Sequence, residues 1–187
     1  MRKILIVAIL LIGIVAGLLL AGFSPVGMVI YQEKNSLDSS DFLMIPHLSL
    51  DGFSEVVVDV DGVDDVSETE DGIGFVYLYS GCRRIVMLTS EDQVTSIRNG
   101  LEGELEFRPS SHDTMKNVFD TFGMDVILAK ITHMENDVYF ARLFLVQGTR
   151  ILNLDSKPTD AIAITLRSGA PIFASEDLLE QQGEKVC

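Results

Sequence analysis

Hydrophobic and polar positions along this chain fall into three regimes. From Ile4 to Phe23 no charged or strongly polar side chain interrupts a run of Ile, Leu, Val, Ala and Gly. As a helix that run spans about 30 Å, the hydrocarbon thickness of a bilayer. It predicts one N-terminal transmembrane helix, a membrane anchor over residues 1–23. A cleaved signal peptide is the alternative, although its apolar stretch is usually only about 7 to 15 residues. Between 24 and 52, Ser24-Pro25, Asn35-Ser36, Asp38-Ser39-Ser40-Asp41 and Pro46 interrupt any sustained period, which reads as a linker. Regular patterning returns at Phe53 and defines a folded domain over 53–187.

Within that domain Val56, Val58 and Val60 alternate with Val57, Asp59 and Asp61, the period of a half-buried strand. Gly72 to Tyr79, the turn Ser80-Gly81, and Arg83 to Leu88 predict a hairpin. Ser90 with Gln93 three residues on is a capping-box signal for a helix to about Leu101, stopping near Gly103. Ser111 is a second N-cap candidate, followed by Met115, Val118, Phe119 and Phe122 at the spacing of one helix face. Three strands follow, Val126 to Met134, Val138 to Val146 and Arg150 to Leu154, parted by Glu135-Asn136-Asp137 and Gln147-Gly148-Thr149. Pro158 suits the first position of a helix so apolar through Ala161, Ile162, Ala163, Ile164 and Leu166 that it must be buried on several sides. Pro171 to Ala174 predicts a short strand and Ser175 a cap for a last helix through Gln181. Without regular β-α-β alternation, the class is α+β, with a largely antiparallel sheet and three to four helices behind the N-terminal transmembrane helix.

Charge narrows the possible partners. The 187 residues carry 14 Lys and Arg against 28 Asp and Glu, a net charge of -14, which disfavours a general cationic nucleic-acid binder. Arg2 and Lys3 precede the apolar run while Glu33, Asp38 and Asp41 follow it. The positive-inside rule then makes this a single-pass protein with a cytoplasmic N-terminus and an extracytoplasmic domain. Cys82 and Cys187 are too few for a disulfide framework and wrongly spaced for structural zinc. They read as free thiols, with a bridge or an intermolecular pairing the alternative if the domain is exported.

Five segments, taken in order, carry a resemblance. They are Ser90-Glu91 before a helix ending Leu101-Glu102-Gly103, then Arg108-Pro109-Ser110-Ser111-His112-Asp113, then Tyr139-Phe140-Ala141-Arg142-Leu143. After these come Asp155-Ser156-Lys157-Pro158-Thr159-Asp160-Ala161-Ile162-Ala163 and Arg167-Ser168-Gly169-Ala170-Pro171-Ile172. Over about residues 54 to 182 the chain resembles the bifunctional nuclease domain family. The resemblance implies a compact α+β domain, often self-associating as a homo-oligomer, whose plant members gave the family its name by cleaving RNA and DNA. Lys157 stands where Arg is common, Thr159 where Ser is common, and Thr89-Ser90 where an Ile-Gly pair is usual. The change to Lys removes a bidentate fork for phosphate.

Phosphodiester hydrolysis commonly uses carboxylates to hold divalent cations, or a His to move a proton, with cations to neutralise charge on oxygen. His112 and Asp113 fall in the predicted first turn of a helix, where the positive dipole end favours an anion and a neutral imidazole. Each also has a structural reading, Asp113 complementing the dipole and His112 packing or capping. Asp155 ends a strand and Asp160 enters the next helix, so the loop between could aim both carboxylates at one magnesium or manganese ion. A helix-start acid and an Asx turn are their structural counterparts. Arg108, Arg142, Lys157 and Arg167, the cations inside the resembling motifs, are candidates for phosphate binding or for fold-fixing ion pairs. Glu91 and Glu102, about 16 Å apart along one helix, cannot share a metal, and Asp59-Val60-Asp61-Gly62 lacks the spaced terminal Glu of a calcium loop. The leading expectation is a membrane-anchored nuclease performing metal-assisted phosphodiester hydrolysis of RNA or DNA, through His112, Asp113, Asp155 and Asp160. The rival is a non-catalytic module that self-associates or binds an anionic ligand.

Overall fold

The computed structural model describes residues 48–62, 72–105 and 107–187. The apolar run 4–23 and most of the linker lie outside the described residues. Among the described residues no helix is long and apolar enough to cross a membrane. Residues from Leu50 to Cys187 form one compact unit.

Among its described residues nine strands and four helices follow one another: β1 (Phe53–Glu55), β2 (Val57–Gly62), β3 (Ile73–Ser80), β4 (Arg83–Ser90), α1 (Glu91–Glu102), α2 (Ser111–Thr121), β5 (Asp125–Glu135), β6 (Val138–Gln147), β7 (Arg150–Ser156), α3 (Pro158–Arg167), β8 (Ile172–Ser175), α4 (Glu176–Gln182) and β9 (Glu184–Lys185). They make a five-stranded sheet in the order β1-β8-β5-β6-β7 and a four-stranded sheet in the order β2-β3-β4-β9. All pairings are antiparallel except β5 with β8. That parallel pair is what α3 makes possible, because an antiparallel neighbour needs only a turn but a parallel one needs a crossover. The α+β class with a largely antiparallel arrangement is as the sequence predicts.

Turn chemistry sets the hairpins. The two residues between β5 and β6, Asn136 and Asp137, both have positive φ, 50° and 61°, the backbone of a two-residue hairpin turn whose twist matches its strands. Alternation sets the core: Val76 and Leu78 of β3 and Ile85 and Met87 of β4 face inward to meet Ala129, Ile131, Leu143 and Leu145 of the larger sheet in one cluster. Helix α3 is buried at Pro158, Thr159 and every position from Ala161 to Thr165. Burying each of its isoleucines contributes about 1.5–3 kcal/mol.

Two sequence expectations change. Helix α2 forms where predicted, yet only Phe119 of its apolar face is buried, while Met115, Val118 and Phe122 are exposed. Periodicity identifies a helix face but not whether anything covers it. The cysteines are not free thiols: Cys82 and Cys187 form a disulfide, with Cα atoms 5.3 Å apart across 105 residues of sequence. Strand pairing brings them together. The β4–β9 ladder puts Arg83 opposite Lys185, Val186 N–H donates to the Cys82 carbonyl at 3.0 Å, and the Arg83 guanidinium donates to the Gly183 carbonyl at 3.0 Å.

Candidate functional site

Helix α3 packs against both α1 and α2, and polar side chains of the three helices meet in one network. Close approach of α1 to α3 depends on Gly100, where a Cβ would lie 3.1 Å from the Leu166 Cβ and 3.2 Å from an Arg167 nitrogen. Four turns of helix then deliver Ser96, His112, Asp113, Asp160 and Arg167 to one place.

At the start of α2 the N-cap is Ser110, one residue before the predicted Ser111. Its hydroxyl accepts from Asp113 N–H at 3.2 Å, and Asp113 Oδ2 accepts from Ser110 N–H at 2.8 Å, closing a capping box. The other carboxylate oxygen, Oδ1, accepts from Arg167 Nε at 2.5 Å. Both side chains are buried, Arg167 at 7% exposure and Asp113 at 3%. Burial alone would push the Asp113 carboxyl up. Hydrogen bonds from Arg167 and Ser110 outweigh it and hold the group below its ordinary value. Arg167 Nη1 also donates to the Ser96 carbonyl at 2.9 Å and the Ala163 carbonyl at 3.0 Å. This guanidinium, expected among the phosphate-binding groups, is committed to partners within the protein.

His112 sits between α1 and α3. Its Nδ1 is 2.7 Å from the Ser96 hydroxyl and its Nε2 is 3.2 Å from Asp160 Oδ1. The ring is buried but the Asp160 side chain is 38% exposed. Asp160 occupies the first turn of α3, whose N-cap Lys157 supplies no side-chain cap and whose first residue is Pro158. Two helix N-termini therefore converge on the His112–Asp160 bond, each bringing a partial positive charge of roughly half an electron. Arg108 precedes the N-cap of α2, Lys157 is the N-cap of α3, and both are exposed.

Asp155 takes a different partner. It faces Arg142 across the β6–β7 ladder, with Oδ1 3.8 Å from the guanidinium and both side chains largely exposed. The two acids expected to share a cation, Asp155 and Asp160, are thus engaged separately. Among the described residues no three His, Cys, Asp or Glu side chains gather as a metal-binding group. Among the described residues there is thus no ready-made protein cage for magnesium or manganese, and Asp160 is the half-open carboxylate that would face a cation brought in with phosphate.

Of the residues singled out in the sequence, His112, Asp113, Asp160 and Arg167 meet, whereas Asp155 pairs with Arg142. Ser96 was missed. It lies in mid-helix, 16 residues from His112, and nothing local distinguishes it from any other polar helix residue. Only the hint that three helices share one buried polar site could have pointed to it.

An α+β domain with a half-open acid at two helix starts defines a class broader than any one family, and sequence comparison narrows it. The sequence model of the bifunctional nuclease domain matches residues 79–186, and the chain belongs to that family. It is 34% identical over 82 residues to Bifunctional nuclease 1 of Oryza sativa subsp. indica, and 32% identical over 82 residues to Bifunctional nuclease 1 of Arabidopsis thaliana. Each match covers 42% of this chain and 25% of the plant protein. An uncharacterized protein of Mycobacterium tuberculosis is 25% identical over 104 residues, covering 56% of this chain and 62% of its own length. The chain thus spans about a quarter of the plant relatives it matches.

Proposed function

We propose that this domain hydrolyses phosphodiester bonds of RNA or DNA, with Asp160 as the proton-accepting group. The observation that carries this reading is a carboxylate held on its buried side by His112 and open on the other, at the meeting point of two helix N-termini. Asp160 takes a proton from an attacking water, the water oxygen bonds to phosphorus, and the departing ester oxygen takes a proton from solvent. The α2 and α3 N-termini, with Arg108 and Lys157, receive the phosphate charge. Kinship with plant proteins named bifunctional nucleases supports the substrate class. From residue 53 onward only 11 cations face 24 acids, so affinity depends on that local patch and falls steeply with salt.

The domain is exported and tethered by residues 1–23. Arg2 and Lys3 ahead of the apolar run support this orientation, and so does the Cys82–Cys187 disulfide, a bond that persists in oxidising compartments. Protease added to intact cells is expected to digest the domain; protection would reverse the topology.

The enzyme reading is tested on the 187-residue chain with single-stranded RNA and DNA, in magnesium, in manganese and in chelator, beside Asp160→Ala. Cleavage by the parent protein that the variant lacks is the expected outcome. Equal background from both removes the activity and leaves the second reading, a non-catalytic module. That rival is favoured by one observation, the sealed Asp113–Arg167 pair, which uses two of the family-motif residues to hold helices together.

A further inference from the structure

The hydrogen bonds around His112 form a chain with a fixed direction, and that direction assigns a role to a residue no motif marks. At one end stands Arg167, whose Nη2 lies 3.3 Å from Ser96 Oγ. A guanidinium only donates, so the Ser96 oxygen is the acceptor there. At the other end stands Asp160, whose Oδ1 lies 3.2 Å from His112 Nε2. An ionised carboxylate only accepts, so the proton sits on Nε2. In the neutral ring the other nitrogen, Nδ1, is then bare, and the group facing it at 2.7 Å is the Ser96 hydroxyl. That hydroxyl has one proton, and Nδ1 is the acceptor for it.

We infer that Ser96 is a positioning residue that locks His112 in the Nε2–H tautomer, so that every bond from Arg167 through Ser96 and His112 donates toward Asp160. Bonds aligned this way polarise one another in the same sense. The ring then works as a donor that aims and steadies the Asp160 carboxylate, not as the base itself. Ser96 is buried, as is His112, so neither exchanges this partner for bulk water. Arg167 is anchored independently by Asp113, the Ser96 carbonyl and the Ala163 carbonyl, which fixes the origin of the chain. The tautomer assignment stands on these contacts alone; only its consequence for turnover rests on the phosphodiesterase reading.

Imidazole nitrogen shifts report the tautomer directly. The 187-residue chain has three histidines, so its ring-15N-labelled long-range proton–nitrogen spectrum, in detergent micelles at about pH 8 where imidazole is ordinarily neutral, is readily assigned with a His112→Gln control. The expected parent pattern for His112 is a protonated Nε2 and an unprotonated, hydrogen-bonded Nδ1. Ser96→Ala is expected to lose that hydrogen-bonded Nδ1 signature, and Ser96→Thr, which keeps the hydroxyl, to restore it. A parent spectrum with Nδ1 protonated overturns the inference whether or not the variants fold, and so does an Ala variant whose His112 shifts match the parent. In the cleavage assay Ser96→Ala is expected to lower kcat with little change in KM. A protein with the assigned tautomer but no cleavage retires the phosphodiesterase reading and keeps this one, while cleavage with the opposite tautomer does the reverse.

Discussion

Helices α2 and α3 each carry an aspartate at the third helical position, Asp113 and Asp160, and the two have opposite fates. Asp113 closes a capping box with Ser110 and grips Arg167, with both oxygens engaged and the side chain buried. Asp160 has no serine to cap, because Lys157 stands at the N-cap and Pro158 follows it. It reaches across to His112 and keeps more than a third of its side chain in solvent. A carboxylate whose bonding capacity is filled by the fold stabilises the fold. One left half filled beside two helix N-termini is available to a ligand.

The contrast breaks most visibly at Asp113. Asp113→Ala leaves the Arg167 guanidinium buried without its partner and removes the cap, for an expected loss of about 3–5 kcal/mol, read as a lower midpoint in chemical denaturation. A loss below about 1 kcal/mol would mean that the pair is no more structural than a surface bridge. Asp160→Asn inverts the pattern: cleavage is expected to fall about 10²–10⁴-fold while stability moves by about 1 kcal/mol or less. Stability lost together with activity would make Asp160 a second Asp113.

Acid sharpens the comparison further. The Asp113 carboxyl titrates below its ordinary value of 3.8 in the folded protein. Its contribution to stability is therefore complete above that ordinary value and is lost as pH falls through the lowered one. Denaturation midpoints of the parent between about pH 5 and pH 2 are expected to drop more steeply than those of Asp113→Asn; parallel curves would contradict the assignment. The smallest effect belongs to the exposed pair. Asp155→Asn breaks a 3.8 Å contact between two largely exposed side chains, and the expected stability change is under about 1 kcal/mol, shrinking in high salt. A cost near that of Asp113→Ala would show that Arg142 depends on Asp155 in a way its exposure does not suggest.

Much of this fold is legible along the chain because its signals are local. The Asn136-Asp137 turn, the valine alternation of β2, the left-handed stop at Gly103 (φ 69°) and Pro158 opening α3 follow from backbone preferences of neighbouring residues. The caps show where such signals reach their limit. Ser90 is the N-cap of α1, yet its side chain makes no capping bond. At α2 the working cap is Ser110, not Ser111, because Asp113 closes the box three residues after it. Choosing between adjacent serines takes the geometry of the turn, which composition does not carry.

Local signals along the chain are enough to read the class, the order of elements from β2 to α4, the buried character of α3 and the family, but not the separate short strands β1 and β9. The sequence also named the acids and the histidine that could carry chemistry. Tertiary structure alone decided their partners: β8 inserted beside β5, Cys82 joined to Cys187, Asp155 turned toward Arg142, and Ser96 placed behind His112. The division has a physical cause. Backbone preference and hydrophobic period act over a few residues and leave a readable mark in every window. A donor finds its acceptor only after helices distant in sequence have packed, and the sum of many nonspecific apolar contacts, not any one residue, sets that arrangement.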